Sequence, residues 1–143
     1  MTKEELEALY KESIIPESRA PYHFEKLNPS DLEIEAYNPV CGDKYKLYLQ
    51  LEEGRISSAF FEGFGCAISK ASTSILCREL EGRSLKDSQD LIRSFLQGVD
   101  GVKEHAFADT RMEVLKELKN FDCRIDCVKL SWSALQENES VWK

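Results

Sequence analysis

Long apolar runs are missing from this chain. No stretch approaches the roughly 18 consecutive apolar residues of a membrane span, so no bilayer-crossing segment is expected. An apolar leader is missing too: the opening MTKEELEALYKES is charged and amphipathic, which places the expected location in the cytoplasm. Positive charge is short as well. Nineteen Lys and Arg stand against 26 Asp and Glu, no basic run forms a local exception, and the net charge of -7 would repel a phosphate backbone, so nucleic acid is not an expected partner. Histidine is scarce. His23 and His105 are the only two, and neither lies in a segment with a catalytic motif, so a cysteine-histidine nucleophile pair gains no support and both read as surface residues.

What remains is ordinary globular material: 42% apolar and 31% charged residues over 143 positions, enough for one domain spanning 1–143 with a real core. Cysteine is the exception. Five thiols, an odd number in a reducing compartment, are poorly explained as a disulfide framework and better explained as ligands, nucleophiles or core residues.

The periodicity predicts strands early and helices late. Thr2 to Ser13 reads as a capped helix ended by Pro16, and three prolines between Ile15 and Leu32 read as a loop. KYKLYLQL (44–51) alternates Tyr45, Leu47, Leu49 and Leu51 on one side, Glu53-Gly54 supplies a turn, and Ile56 to Phe64 returns as the second arm of a hairpin. Ile34 to Tyr37 adds a third strand. A helix follows Gly65 until Gly82 breaks it; another begins at Ser84, with Asp87 in the capping-box position, and stops near Gly98. A helix from about Asp109 to Lys119 and a last one from about Asp126 complete the chain, with Trp132 and Phe121 as core residues. No βα alternation is present, so the expected fold is α+β: a small antiparallel sheet of about three strands covered by helices.

Cys41, Asp43, Cys66 and Cys127 have local features in common. Cys41 and Asp43 flank Gly42 in the turn NPVCGD, whose backbone freedom would let both side chains aim at one point. Cys66 directly precedes a helix and Cys127 stands near the start of another, where N–H groups and the helix dipole favour a thiolate. The steps from Cys41 to Cys66 and on to Cys127 are 25 and 61 residues, so only a tertiary fold could assemble the set. Three thiolates and a carboxylate suit a tetrahedral zinc, or iron in a cluster, and the oxygen ligand would loosen the grip on cargo. Each thiol alone reads equally well as a small buried apolar residue. Cys77 reads as core, because 11 helical residues carry it roughly 16 Å from Cys66.

NPVCGD (38–43), FEGFGCAISKASTSI (61–75) and RIDCVKLSWSAL (124–135) resemble, in order, segments of the NifU N-terminal-like family that includes IscU and SufU. LYKESIIPESRAPYHFEKL (9–27) is similar to that family's opening helix and loop, so the resemblance covers nearly the whole chain. It implies an IscU/SufU-like fold and one functional site made of Cys41, Asp43, Cys66 and Cys127. SufU-like members typically hold zinc; IscU-like ones assemble a transient [2Fe-2S] cluster on iron. It further implies a pyridoxal-phosphate cysteine desulfurase as sulfur donor and downstream cluster-assembly or apo-acceptor proteins as recipients. The chain is then a sulfurtransferase-like acceptor or a non-enzymatic scaffold. Cys41 is the favoured acceptor because its loop can move, Cys127 is the rival, and Arg124 beside the last ligand would steady a thiolate or persulfide. The helical region from Ser84 to about His105, together with RIDC and LSW, is closer to SufU. Asp126 replaces the histidine of IscU-type scaffolds and the lysine more common in SufU, and Cys123 stands where relatives commonly have alanine.

Overall fold

The computed structural model describes residues 1–120 and 125–142. Three strands, β1 (Leu32–Tyr37), β2 (Lys44–Glu52) and β3 (Arg55–Phe64), form an antiparallel sheet in the order β1-β2-β3. The expected alternation is present. Ile34, Ala36, Tyr45, Leu47, Leu49, Ile56, Ala59 and Phe61 are all buried. The β2–β3 turn places Glu53 at φ 50° and Gly54 at φ 76°, the double left-handed geometry that matches the twist of a two-residue hairpin. A register shift at Gln50/Leu51 lets Ile56 rather than Ser57 face inward.

Helices α3 (Ala67–Leu80), α4 (Leu85–Asp100), α5 (Thr110–Glu117) and α6 (Ile125–Glu137) follow, with a 3-10 turn (Leu118–Asn120) after α5 and a short α7 (Glu139–Trp142) at the end. Among the described residues, no helix is long and apolar enough to cross a membrane. Ser84 caps α4 by accepting the Asp87 N–H, as its spacing predicts. The helix does not stop at Gly98. It runs on to Asp100 and ends where Gly101 takes φ 72°, because Gly98 packs its bare Cα under the Lys116 stem while Gly101 provides the left-handed cap.

Pro16 does not end the N-terminal helix either. α1 (Lys3–Leu9) passes into a π turn (Tyr10–Ile14) and then α2 (Ile15–Arg19), which carries Pro16 in its first turn. Ile15 N–H reaches back five residues to Tyr10 O, a widened turn that makes room for the proline ring and leaves the missing donor harmless. The first part of the expected loop is therefore helical. Its remainder is pinned as well: Tyr22 N–H donates to Ser74 Oγ at 2.7 Å, and His23 O accepts from Phe61 N–H at 3.2 Å. His23 is not a plain surface residue. Its ring stacks between Tyr22 and Phe60, with centroids 4.0 and 4.2 Å away, and its Nδ1 lies 2.9 Å from a Glu81 carboxylate oxygen. His105 is half-buried and pairs with Gln97 at 2.9 Å.

α3 is the central helix. It buries Ala71, Ile75, Leu76, Cys77 and Leu80 together with four hydroxyl residues, Ser69, Ser72, Thr73 and Ser74. Each hydroxyl is spent on a different neighbour. Ser69 Oγ pairs with Tyr45 of β2 at 2.8 Å, and Thr73 Oγ1 with Ser131 of α6 at 2.7 Å. Ser72 Oγ donates to Val128 O at 2.6 Å and accepts from Trp132 Nε1 at 2.9 Å. Ser74 Oγ donates to Glu17, the buried carboxylate of α2, which also accepts from Arg78 and Arg111. Trp132, fully buried as expected, stacks on Phe95 of α4 with centroids 3.9 Å apart.

Ser72 thus satisfies two buried groups of α6 at once. Ser72→Ala is expected to cost about 1–3 kcal/mol of unfolding free energy, the scale of leaving buried polar groups unpaired. Urea unfolding checks this, and a variant as stable as the parent would show that α6 repacks without the hydroxyl.

Candidate metal centre

The loop between β1 and β2 is tied off locally. Asn38 N–H donates to Asp43 O at 2.9 Å, Gly42 N–H to Asn38 O at 2.8 Å, and Val40 N–H to the Asn38 side chain at 3.0 Å. Gly42 closes it at φ 82°. The result separates two neighbours by exposure: Cys41 is open to solvent, whereas Asp43 is buried at 4%.

Cys66 is the N-cap of α3, and its Sγ accepts the Ser69 N–H at 3.4 Å. Its own N–H donates to Asp43 Oδ1 at 3.2 Å, which orients the carboxylate and leaves Oδ2 facing the thiols, 3.8 Å from Cys66 Sγ. Cys127, in the first turn of α6, is 3% exposed. Burial pushes its thiol well above the ordinary range, and contact with the Cys66 thiol and the Asp43 carboxylate adds to the shift. A cation placed among these groups would reverse that bias.

Ligand atoms of Cys41, Asp43 and Cys127 lie within 4.8 Å of one another. Cys66 joins through its contacts to Asp43 and Cys127 rather than as a member of that compact trio. Tetrahedral zinc ligands at their usual bond lengths sit about 3.3–3.8 Å apart. The trio therefore already lies near the spacing of two thiolates and a carboxylate on one ion, and Cys66 Sγ, 3.8 Å from Asp43 Oδ2, is the nearby thiol that would supply a third sulfur. α3 and α6 both begin here, so the positive ends of two helix dipoles face the donor set.

Three further residues shape the site. Tyr45, two positions after Asp43 and fully buried, holds Ser69 beneath Cys66, and burial raises its phenol far above the ordinary range. Gly65 has no room for a side chain: a Cβ would collide with the Tyr45 and Ser69 hydroxyls and crowd the Asp43 carboxylate. In the sequence Tyr45 looks like core and Ser69 like any helical serine; their only advance signal is spacing, two residues from Asp43 and three from Cys66. Cys77, 0% exposed, packs in the core as expected. Asp126 is exposed beside Cys127, and Phe121, Cys123 and Arg124 lie outside the described residues.

Comparison with known proteins identifies the family. Residues 9–128 match the family described as NifU-like N terminal domain. The chain is 31% identical over 133 residues to the zinc-dependent sulfurtransferase SufU of Bacillus subtilis, covering 92% of this chain and 90% of that one. It is 30% identical over 129 residues to the iron-sulfur cluster assembly scaffold protein IscU of Thermotoga maritima, covering 90% and 91%. Among solved structures, a putative iron-sulfur cluster assembly scaffold protein for the SUF system from Fervidobacterium islandicum superposes with a TM-score of 0.79 at 25% identity, over 91% of this chain and 96% of its own. With the three-stranded sheet, the helical cover and the family match in agreement, the chain belongs to the NifU-like N-terminal domain family.

Proposed function

We propose that this protein serves iron-sulfur cluster assembly by accepting sulfur from a cysteine desulfurase at a zinc site formed by Cys41, Asp43, Cys66 and Cys127. One observation carries the reading: among the described residues Cys41 is the one fully exposed thiol, and it stands over Asp43 and Cys127, which are sealed from water, with Cys66 partly covered beside them. Zinc would hold the thiols deprotonated at neutral pH. Cys41 is the member a partner can reach. Its thiolate attacks the outer sulfur of the donor's persulfide, the new S–S bond forms on Cys41, and the donor cysteine leaves as thiolate. Cys127, at 3% exposure, is shielded from the same encounter. The persulfide sulfur then passes to downstream assembly or apo-acceptor proteins.

The likeness to IscU, almost equal to that to SufU, supports a second reading in which the same four residues build and release a [2Fe-2S] cluster. Anaerobic incubation with iron and sulfide separates the two. A stoichiometric, transferable cluster favours the scaffold; zinc that resists displacement, together with faster desulfurase turnover, favours sulfur acceptance.

Mass spectrometry after incubation with desulfurase and cysteine is expected to show one added sulfur on the wild-type chain and none on Cys41→Ala. Uptake by Cys41→Ala would reject the assignment to that thiol. Zinc binding must also release protons from the thiols, Cys127 foremost, so apparent affinity is expected to fall as pH drops from about 8 to about 6. Asp43→Cys, which replaces the oxygen donor with sulfur, is expected to slow zinc transfer to a chelator about tenfold or more. Unchanged transfer would remove Asp43 from the ligand set.

A further inference from the structure

β1 is the edge of the sheet, with β2 on one side and no strand on the other among the described residues. Asn38 N–H to Asp43 O is a bonded pair that continues the β1–β2 register. Alternation therefore turns the backbone groups of Ala36 and Ile34 toward β2, and those of Tyr37, Glu35 and Glu33 outward. The outward row is not a flat solvent edge. Between it and α6 runs an open groove of about 470 Å³, lined by Glu35, Ala36 and Tyr37 on the strand side and by Asp126, Lys129 and Glu137 on the helix side. A free strand edge facing a helix is the geometry by which an extended peptide adds to a sheet.

The lining is acidic. Lys129 is neutralised by Asp100 at 2.7 Å, whereas Asp126 and Glu137 have no ion-pair partner among the described residues. Glu35 pairs with Lys44 only at 3.6 Å, with both side chains about half exposed, so water screens most of that attraction. The groove also leads somewhere. Asn38 and Pro39 close its strand side just before Cys41, and Asp126 adjoins Cys127.

We propose that this groove binds an extended, basic segment of a partner protein, which pairs with the outer edge of β1 and leads toward the Cys41 loop. The outward groups from Glu33 to Tyr37 span about 13 Å, so roughly five residues of the partner would pair. Basic side chains on its helix-facing positions would meet Asp126 and Glu137, and one on the opposite face would meet Glu35. A second copy of the chain is a poorer occupant, because edge-to-edge pairing would set Glu33 and Glu35 against the same acids. The groove stands independently of sulfur acceptance at Cys41.

A phage-displayed library of random octapeptides, selected against the whole chain, tests this. Enriched sequences are expected to carry Lys or Arg among β-forming residues, and a synthetic copy of the best one should shift the amide resonances of Glu33, Glu35 and Tyr37. Backbone N-methylation of that peptide at alternate residues is expected to weaken binding about tenfold or more, since it removes the edge hydrogen bonds. The same loss is expected for the unmodified peptide against an E35K/E137K variant. Enrichment of acidic or uncharged sequences, binding that survives N-methylation, resonance shifts elsewhere on the surface, or self-association through β1 would each overturn the proposal. So would a library that yields nothing above background, which would leave the charges as protection of a bare edge.

Discussion

Four hydroxyls on α3 set the relative positions of nearly everything else. Ser69, Ser72, Thr73 and Ser74 lie within six residues, and in a helix that spreads them over an arc of about 200°. They therefore bond in different directions: to β2, to α6 and to the N-terminal segment. An apolar helix would pack as tightly but could slide or rotate against its neighbours with little penalty. Directional bonds between buried groups remove that freedom, because any slip leaves several polar atoms unpaired at once. Since α3 begins at Cys66 and α6 begins beside Cys127, fixing the two helices fixes the distance between two thiols.

The site itself is graded from outside to inside. Cys41 meets solvent on a loop closed by Asn38, Cys66 sits half-covered at a helix cap, and Asp43 and Cys127 are sealed beneath them. Such a gradient divides labour without any moving part. Inner groups see a low dielectric, where charge is costly unless a cation is present, so they gain most from metal. The outer group is only weakly committed to the interior and stays available to a visitor. Asp43 links the levels: one oxygen is fixed by the Cys66 backbone, which prevents the carboxylate from turning away when the other is not engaged.

Much of this could be read in the sequence, for physical reasons that differ by element. β2 declared itself because Tyr45, Leu47 and Leu49 face a core while Lys44 and Lys46 do not, and a period of two has few other causes. Ser84 with Asp87 predicted a helix start because the bond is local. Pro16 misled for the opposite reason: whether a proline breaks a helix depends on whether the preceding turn can widen, and the π turn at Tyr10–Ile14 is not encoded by any single residue. Gly98 marked the end of α4 to within two residues; it serves packing, while Gly101 serves the cap. His23 and Glu17 were out of reach altogether, since their partners Phe60, Glu81, Arg78 and Arg111 lie far along the chain. The ligand candidates stood out as a plausible set by their turn and helix-start positions, and likeness to a family made the set firm. Geometry then added what likeness does not carry, the sharp contrast in exposure between Cys41 and Cys127, and the supporting roles of Tyr45, Ser69 and Gly65.

Cys77 has a consequence of its own. It is one of the chain's five thiols, yet it is 0% exposed, and burial pushes its ionisation far upward. It is chemically silent in the folded chain, out of reach of reagents that meet the surface thiols. Its silence ends when the core opens. Modification at Cys77 is therefore a time stamp of global opening, written into the same molecule whose exposed Cys41 reacts without any opening.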